Sequence, residues 1–384
     1  MNKLLFETIV SYIKQQFNGN KFIPLHVPVF KGNEKKYLAD TIDSTYVSSV
    51  GPYVNRFEEM MCEITGSNYS IAIVNGTNAL HMALLLADVE ENDEVLSQSL
   101  TFVATCNAIS YIKAKPVFID IDKDTLGMSP KSLSAFLEES AELHKDGFVY
   151  NKKSGRRIKA CVPMHTFGFP CRIDEIAAIC DKFNITLVED AAESIGSYYK
   201  GKHTGVFGKI GTFSFNGNKT ITCGGGGALV TNDENIARRA KHLTTQAKVA
   251  HPWEFIHDEI GYNYRMPNLN AALACAQLEQ LGDFVKNKRE LAINYNSFFK
   301  ETTCTFINEI DEAKANYWLN AILMNNKEER DNFLDFANKN GVMTRPAWEL
   351  MHRLPMFINA EHVNLLNSEW VADRLVNIPS SVRL

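Results

Sequence analysis

Residues 211–219 read GTFSFNGNK, and a run of four glycines follows at 224–227. The apolar positions in 212–215 predict a buried strand, after which the chain enters a polar, glycine-flanked loop that ends in Lys219. Solvated surface lysines seldom have such surroundings, and a desolvated lysine can form a Schiff base because burial disfavours its charged form. The stretch therefore predicts a strand end with a reactive amine, and Ser214 lies close enough to bind a phosphate on the same ligand.

The sequence around this stretch has the pattern of a parallel sheet with crossover helices. From residue 70 to about 233, short apolar runs rich in β-branched residues alternate with segments of helical period. The predicted strands are 71–74, 94–96, 116–119, 160–164, 186–189, 212–215 and 228–231. The helices predicted between them include 78–87, 102–112, 129–143 and 173–183. We therefore expect an α/β lobe built on a seven-stranded, mostly parallel sheet.

A smaller lobe is predicted in the C-terminal third. After a charged and aromatic stretch at 248–258, the pattern changes to a long helix at 267–302, a short strand at 317–323 and a helix at 327–340. A chain of 384 residues also exceeds the size at which single cores usually stop growing. We predict a large domain at 1–260, with an N-terminal helix and arm, and a small α+β domain at 261–384.

Charge and hydropathy argue against two classes of partner. A formal net charge of −5 without a long Lys/Arg run argues against a nucleic-acid-binding surface. No stretch reaches the roughly 18 uninterrupted apolar residues of a membrane span. The first residues lack a signal-peptide cleavage pattern and predict a short amphipathic helix. We expect a cytoplasmic enzyme with no membrane partner.

The eight cysteines are scattered through apolar segments, without the C-x-x-C or paired-histidine spacing of a zinc site. They are Cys62, Cys106, Cys161, Cys171, Cys180, Cys223, Cys275 and Cys304. We expect reduced structural thiols and no bound metal.

Two further strand ends carry polar residues, and ligands of open α/β sheets bind beyond the carboxyl ends of the strands. Residues 75–80 read NGTNAL, a glycine turn into a helix whose free N–H groups favour a phosphate, although simple helix capping is the alternative. Asp190, after the strand at 186–189, could hold a cationic ring nitrogen, cap a helix or remain a surface acid. A phosphate-binding helix start, an acid and a lysine at successive strand ends are together the parts needed to hold pyridoxal phosphate.

These residues resemble the sugar aminotransferases of the DegT/DnrJ/EryC1/StrS family, a branch of the fold-type I pyridoxal-phosphate enzymes. The resemblance extends over 23–355. It is carried by 48–52 (SSVGP), 76–80 (GTNAL), 101–105 (TFVAT), 189–194 (EDAAES), 213–215 (FSF) with Lys219, and 261–266 (GYNYRM). It implies the fold-type I transferase fold, with a large cofactor-binding domain and a smaller C-terminal domain.

The resemblance also implies a role for each matching residue of the cofactor site. Lys219 forms the Schiff base with pyridoxal phosphate, and Asp190 pairs with its pyridinium nitrogen. Phe102 stacks on the ring, and Glu193 lies near the ring at a position where many relatives carry histidine or glutamine. The implied phosphate ligands are Thr77, Asn78 and Ser214, together with Asn263, which reaches the cofactor of the neighbouring subunit. The last of these implies a homodimer with shared sites.

The substrate implied by the resemblance is a nucleotide sugar. Segments 216–222, 344–348 and 354–357 are most similar to enzymes for UDP-linked 4-keto-6-deoxy-N-acetylhexosamines of the bacillosamine and legionaminic acid pathways. The implied reaction transfers an amino group from glutamate to C4 of the sugar, and related members use GDP- or dTDP-linked sugars. The implied substrate contacts are Ser49, Gly51, Arg265 and Arg345, with a structural salt bridge as the alternative for each arginine.

Three other interpretations compete with an aminotransferase. A dehydratase of the same family carries histidine in place of the lysine, which Lys219 argues against. A regulatory protein could bind pyridoxal phosphate or a nucleotide sugar without turnover, but simple binding needs no Schiff-base lysine. A pyridoxal-phosphate lyase or cysteine desulfurase would need a mobile catalytic cysteine, and no cysteine is in a loop that suggests one. His165 and His352 are expected to be structural.

Overall fold

The computed structural model describes residues 3–384, so that Met1 and Asn2, at the start of the predicted N-terminal helix, lie outside the described part. The α-helices are α1 (Lys3–Gln16), α2 (Glu34–Asp43), α3 (Pro52–Thr65), α4 (Gly76–Leu86), α5 (Val103–Tyr111), α6 (Pro130–Ser140), α7 (Ile173–Lys182), α8 (Glu234–Thr244), α9 (Asn268–Leu278), α10 (Leu281–Phe299), α11 (Lys327–Lys339) and α12 (Leu366–Ala372). The β-strands are β1 (Tyr69–Ile73), β2 (Glu94–Gln98), β3 (Lys115–Ile119), β4 (Ala141–Leu143), β5 (Val149–Asn151), β6 (Ile158–Val162), β7 (Thr186–Asp190), β8 (Tyr198–Tyr199), β9 (Lys202–His203), β10 (Ile210–Ser214), β11 (Gly227–Thr231), β12 (Thr305–Phe306), β13 (Ala313–Lys314), β14 (Asn320–Leu323), β15 (Arg345–Pro346) and β16 (Leu375–Ile378).

The central sheet has seven strands in the order β1-β11-β10-β7-β6-β2-β3. Strand β11 is antiparallel to both of its neighbours, and the other adjacent pairs are parallel. Side chains of successive residues alternate between the two faces. Ile71 and Ile73 pack with α4 and α8 on one face, whereas Ala72 packs with α3 and α9 on the other. The mostly parallel α/β sheet is confirmed, and each of the seven predicted ranges overlaps one of its strands.

The second core lies around a four-stranded antiparallel sheet in the order β12-β14-β16-β15. Helix α1 packs on this core although it comes from the other end of the chain. The ring of Phe6 lies 5.3 Å from that of Phe333 on α11, and Tyr12 stacks on Phe298 of α10 at 4.0 Å. The N-terminal helix therefore contributes to the C-terminal core, while the division at residue 260 stays a prediction.

The single helix predicted at 267–302 is wrong, because two helices occupy this range. Helix α9 ends at Leu278 and α10 begins at Leu281. Gln280 between them has φ −105° and ψ −1°, and its side-chain amide donates to the Glu34 carboxylate at 2.7 Å. The break allows α9 to pack with α3 against the central sheet while α10 continues into the C-terminal core.

Two other predicted boundaries also differ. The helix predicted at 129–143 ends at Ser140, because Ala141–Leu143 pairs with Val149–Asn151 in an antiparallel hairpin. The strand predicted at 317–323 begins only at Asn320, because Tyr317 has a φ of +49° and lies outside the extended region. Trp318 is consequently free of the sheet and can contribute to a site.

The eight cysteines are free thiols, and seven of them are buried. Over residues 3–384, none of the helices combines the length and apolar composition that a membrane crossing requires. One surface group of metal-ligand types, His242, Asp258 and Glu259, occurs in the same range, but the Glu259 carboxylate already pairs with Arg239 at 2.5 and 2.8 Å.

Candidate functional site

The carboxyl ends of β1, β7 and β10 converge on a cavity of about 310 Å³. The sequence-predicted residues that line it are Thr77, Phe102, Asp190, Glu193, Ser214 and Lys219. Residues remote in sequence close the cavity, notably Trp318 before β14 and Trp348 after β15. The cavity therefore lies between the central sheet and the C-terminal core.

Asp190 is buried in the wall of the cavity at the end of β7. The Thr105 hydroxyl donates to its Oδ2 at 2.7 Å, and the Ala192 backbone N–H donates to its Oδ1 at 3.2 Å. Burial raises the pKa of Asp190 above the usual value for aspartate, although these hydrogen bonds and the Lys219 charge oppose the rise. A desolvated carboxylate of this kind gains from a cationic ligand atom beside it.

The start of α4 forms an anion cradle opposite the end of β10. Asn75 caps the helix by accepting the Asn78 N–H at 2.8 Å, so Asn78 completes the cap and does not line the cavity among the residues described. The N–H groups of Gly76 and Thr77 belong to the first turn, which has no intrahelical partners. A side chain at Gly76 would come within 2.7 Å of Ser214 Cβ, so glycine is required for this close approach. Backbone amides, helix dipole and hydroxyl together suit a phosphate.

Lys219 is held between a carboxylate and an aromatic ring. Its Nζ donates to Glu193 Oε1 at 3.0 Å and lies 4.0 Å from the centre of the Trp318 ring. The indole N–H of Trp318 donates to the Asn218 carbonyl at 2.6 Å, which fixes that ring. Glu193 is fully buried, and its Oε2 accepts the backbone N–H of Phe167 at 2.9 Å.

The carboxyl group of Glu193 is strongly perturbed. Burial raises its pKa to about 7, although the Lys219 charge and the hydrogen bonds from Lys219 and Phe167 favour the ionised form. Phe167 presents its N–H from a left-handed conformation with φ +56°, which is uncommon for a bulky residue. The N–H group that Phe167 presents in this conformation thus stabilises the carboxylate that holds Lys219.

A second buried acid, Glu189, lies directly before Asp190 and supports the same strand end. Its carboxylate accepts the backbone N–H groups of Gly205, Phe207 and Gly208, at 2.5–2.7 Å, and contacts His165 Nε2 at 3.0 Å. His165 is fully buried and does not line the cavity among the residues described. Its contact with Glu189 lies in the protein interior, as expected for a structural histidine.

Other sequence-predicted residues lie apart from the cavity lining described for this chain. Arg265 pairs with Glu58 at 2.8 Å, which is the salt bridge left open as its alternative role. Asn263 is exposed on the surface. Arg345 has no carboxylate within 4 Å in residues 3–384 and lines a neighbouring chamber.

The loop that carries Ser49 and Gly51 is fixed by Asn268. The Asn268 side chain donates to the Tyr46 carbonyl at 2.6 Å and accepts the Tyr53 N–H at 3.0 Å. A side chain on Gly51 would come within 2.3 Å of Asn268, so the glycine permits a close approach. Neither Ser49 nor Gly51 reaches the cavity of its own chain in the described structure.

Sequence reasoning missed Trp318, Trp348 and the role of Thr105. Thr105 ends the quoted segment 101–105, and its position one helical turn after residue 101 could have indicated that it faces the strand ends. Trp348 ends the segment 344–348, whose resemblance to the family points only to the substrate. Nothing in the local sequence marks Trp318, because it reaches the site through tertiary packing.

The residues present fit pyridoxal phosphate. The cradle at α4 offers uncharged donors for its phosphate, buried Asp190 offers an anion for its ring nitrogen, and Lys219 offers an amine. Phe102, 46% exposed, and Ala192 border the space between these groups. The three contacts require three separate strand ends, and the sheet order brings those ends together.

The chain is similar in sequence and fold to known aminotransferases. The sequence profile described as the DegT/DnrJ/EryC1/StrS aminotransferase family matches residues 28–384. The GDP-perosamine synthase of Escherichia coli O157:H7 is 37% identical over 363 residues, 94% of this chain and 93% of that protein. EpsN of Bacillus subtilis (strain 168), whose name describes a pyridoxal phosphate-dependent aminotransferase, is 39% identical over 339 residues, 88% of this chain and 84% of its own. The crystal structure of the aminotransferase TlmJ from Streptoalloteichus hindustanus matches with a TM-score of 0.84 at 25% identity, covering 94% of this chain and 93% of that one.

Thr105→Val should weaken the binding of pyridoxal phosphate about 10- to 100-fold, since a hydrogen bond to a charged group is worth roughly 1.5–3 kcal/mol. Valine keeps the shape of threonine but removes the hydroxyl that Asp190 accepts at 2.7 Å. Titration of the apoprotein, followed by visible absorption, measures the affinity. Thr105→Ser keeps the hydroxyl and should stay close to wild type, whereas equal affinity for all three proteins would contradict the role of this contact.

Proposed function

This chain belongs to the DegT/DnrJ/EryC1/StrS aminotransferase family and is a pyridoxal-phosphate-dependent sugar aminotransferase, and we propose that it transfers an amino group from glutamate to C4 of a nucleotide-linked 4-keto-6-deoxy sugar. The observation that carries the proposal is the 3.0 Å contact between Lys219 Nζ and the buried Glu193 carboxylate. A protein that only bound the cofactor would not need an amine held beside a group that titrates near neutral pH.

In the proposed reaction each charged or polar group of the site has its own role. Pyridoxal phosphate, when bound, supplies an electron sink for negative charge at the amino acid α-carbon. Asp190 holds the ring nitrogen, and the first turn of α4 with Ser214 holds the phosphate. Lys219 Nζ takes the proton from the α-carbon of glutamate and later returns it, as base and then as acid. The ionised Glu193 carboxylate stabilises the ammonium group that Lys219 becomes during the transfer.

Two nucleotides compete as the carrier of the sugar. The segments 216–222, 344–348 and 354–357 favour a UDP-linked 4-keto-6-deoxy-N-acetylhexosamine, as in the bacillosamine and legionaminic acid pathways. The names of similar proteins favour a GDP-linked sugar, because GDP-perosamine synthases of Escherichia coli O157:H7 and Vibrio cholerae are 37% and 36% identical to this chain. Both substrates present a keto group to the same amine chemistry, so the reaction class does not depend on the choice.

The purified protein with pyridoxal phosphate should show a visible absorption band that glutamate bleaches. Lys219→Ala should lack this response, because the variant has no amine to bind the cofactor or to move the proton. The glutamate-treated protein is then offered UDP-, GDP- and dTDP-linked 4-keto-6-deoxy sugars in turn, and mass spectrometry identifies the amino sugar formed. A band that glutamate leaves unchanged would contradict the proposed transaminase and favour a binding protein.

The rate of the glutamate half-reaction should rise with pH through an ionisation near 7. The pKa of Glu193 is raised to about 7, so its carboxyl is neutral below this pH and ionised above it, and only the ionised form stabilises the Lys219 ammonium. Below pH 7 the rate should fall about tenfold per pH unit. In Glu193→Gln the rate should no longer rise through this ionisation, and the half-reaction at pH 8 should be about 10- to 100-fold slower than in wild type.

Stopped-flow bleaching of the visible band at pH 5.5–8.5 measures this profile. Glu349→Gln, a change of an exposed side chain, serves as the matched control and should keep the wild-type profile. A Glu193→Gln profile that still bends near pH 7 would assign the ionisation to another group.

We also propose that the enzyme works as a homodimer with shared sites. Asn263 is exposed on its own chain, and large apolar side chains are exposed nearby in sequence, including Trp253 at 76%, Phe255 at 81% and Ile260 at 84%. Such a concentration of exposed apolar surface is typical of a protein interface.

Subunit complementation tests this arrangement. Lys219→Ala and Asn263→Ala should each reduce activity strongly, and refolding the two variants together should restore part of it. A mixed dimer would contain one site with both an intact lysine and an intact asparagine. If the mixture is no more active than its components, Asn263 does not act across an interface.

A further inference from the structure

A second chamber of about 460 Å³ opens beside the cofactor cavity. Asn218, Trp318 and Trp348 line both spaces, so the two adjoin. His26 forms part of the far wall of the chamber and lies in the N-terminal arm, the segment between α1 and α2. Arg345 and Asn377, from the C-terminal part of the chain, complete this wall. Lys219, Asp190 and Ser214 line the first cavity but not this one.

His26 is the unusual residue of the chamber. Both of its ring nitrogens are shielded from solvent and have no hydrogen-bond partner in residues 3–384. The Asn377 side-chain carbonyl oxygen, which also belongs to the lining, is buried without a partner as well. Buried polar atoms are nearly always paired, so three unpaired ones in residues that line one chamber point to a ligand there, toward which the side chains turn by rotation about their own bonds.

The backbone around His26 is fixed by hydrogen bonds, so only rotation about the side-chain bonds can change where its ring nitrogens point. The Ile23 N–H donates to the Gly341 carbonyl at 2.8 Å, and the Met343 N–H donates to the Ile23 carbonyl at 2.9 Å. On the other side, the Ser380 N–H donates to the Leu25 carbonyl at 2.8 Å, and the Val27 N–H donates to Ser381 Oγ at 3.0 Å. The arm thus lies on the C-terminal lobe like an added strand and holds His26 in place.

The surroundings of His26 favour its uncharged ring. Burial lowers its pKa well below the usual value for histidine, and the positive charges of Lys288 and Lys219 lower it further. Lys288 is itself buried, with Nζ donating to the carbonyl oxygens of Trp318, at 3.2 Å, and Ser380. A neutral imidazole offers one donor and one acceptor, which suits a hydroxyl or an amide better than a carboxylate or a phosphate.

The polarity of the chamber changes from its interior to its mouth. The aromatic wall includes Trp348, whose ring centre lies 4.9 Å from that of Phe167. Arg345 at the exposed side donates only to the Thr344 carbonyl, at 2.9 Å, and to Asn338 Oδ1, at 3.3 Å, and it has no carboxylate within 4 Å in the described chain. The neutral polar groups of the interior suit a sugar ring. The unpaired Arg345 at the exposed side suits the diphosphate attached to that sugar.

We infer that His26 determines sugar specificity by hydrogen-bonding an uncharged substituent of the sugar ring, a hydroxyl or an acetamido group, in this chamber. The inference rests on the proposed function and adds to it the residue that selects the sugar. It assigns His26 to the second half-reaction alone, because glutamate carries no such substituent.

Separate measurement of the two half-reactions tests the inference. His26→Phe fills the space of the imidazole but removes both nitrogens, and we expect kcat/KM for the keto-sugar nucleotide found by the panel to fall about 10- to 100-fold. Bleaching of the cofactor band by glutamate should change less than twofold. His26→Gln, whose amide also offers a donor and an acceptor, should recover part of the loss, and His144→Phe, in an exposed hairpin, is the matched control.

A binding measurement gives a readout that does not require turnover. UDP-N-acetylglucosamine and GDP-mannose, which lack the keto group, are titrated against the protein in its glutamate-treated form while tryptophan fluorescence is followed. The nucleotide sugar that wild type binds should bind His26→Phe about tenfold more weakly. If His26→Phe fails to take up the cofactor, the smaller His26→Leu replaces it in both experiments.

The outcomes are distinct. An unchanged kcat/KM for the sugar in His26→Phe, or an equal loss in both half-reactions, would overturn the inference, the second because it indicates a structural role. A loss confined to the glutamate half-reaction would also overturn it and would assign the chamber to the amino donor. Failure of wild type itself to respond to glutamate would instead overturn the proposed function.

Discussion

The contact between Lys219 and Glu193 is the interaction on which the rest of the site depends. A fully buried carboxylate is unfavourable unless a cation or hydrogen bonds compensate its lost hydration, and here Lys219 at 3.0 Å and the Phe167 N–H at 2.9 Å do so. The two residues follow different strands, β7 and β10, whose parallel pairing fixes the distance between their ends. The ion pair can therefore form only if the sheet has this order, which links the chemistry directly to the topology.

The surroundings of this pair connect the central sheet with the C-terminal core. Trp318 covers Lys219 from the C-terminal side, and the buried Lys288 Nζ donates to the Trp318 carbonyl. Burial lowers the pKa of Lys288 to about 7, because the interior disfavours its charged form. The hydrogen bonds of this buried side chain fix the turn that carries Trp318. Separation of the lobes would expose the lysine and hydrate Glu193, and its carboxyl would lose the perturbation that suits proton transfer near neutral pH.

Local sequence patterns were sufficient for the parts of the fold that depend on local physics. The seven strands were predictable because buried strands of a mostly parallel sheet read as short apolar runs. Asp190, Ser214 and Lys219 were predictable as candidates because they lie at or shortly after the ends of such runs. The break between α9 and α10 was not predictable, since the apolar pattern continues through Gln280 and the deviation depends on a contact with Glu34, far away in sequence. Trp318 and His26 were missed for the same reason, because each owes its position to tertiary packing.

The central claim is that Lys219 is the residue that holds the cofactor. Reduction of the protein loaded with pyridoxal phosphate by borohydride fixes the cofactor to the lysine that carries it, and peptide mass mapping then identifies that lysine. The account predicts a single modified peptide that contains Lys219 and that disappears when glutamate is added before the reduction. Modification of a different lysine, or a Lys219 peptide that glutamate does not affect, would contradict it.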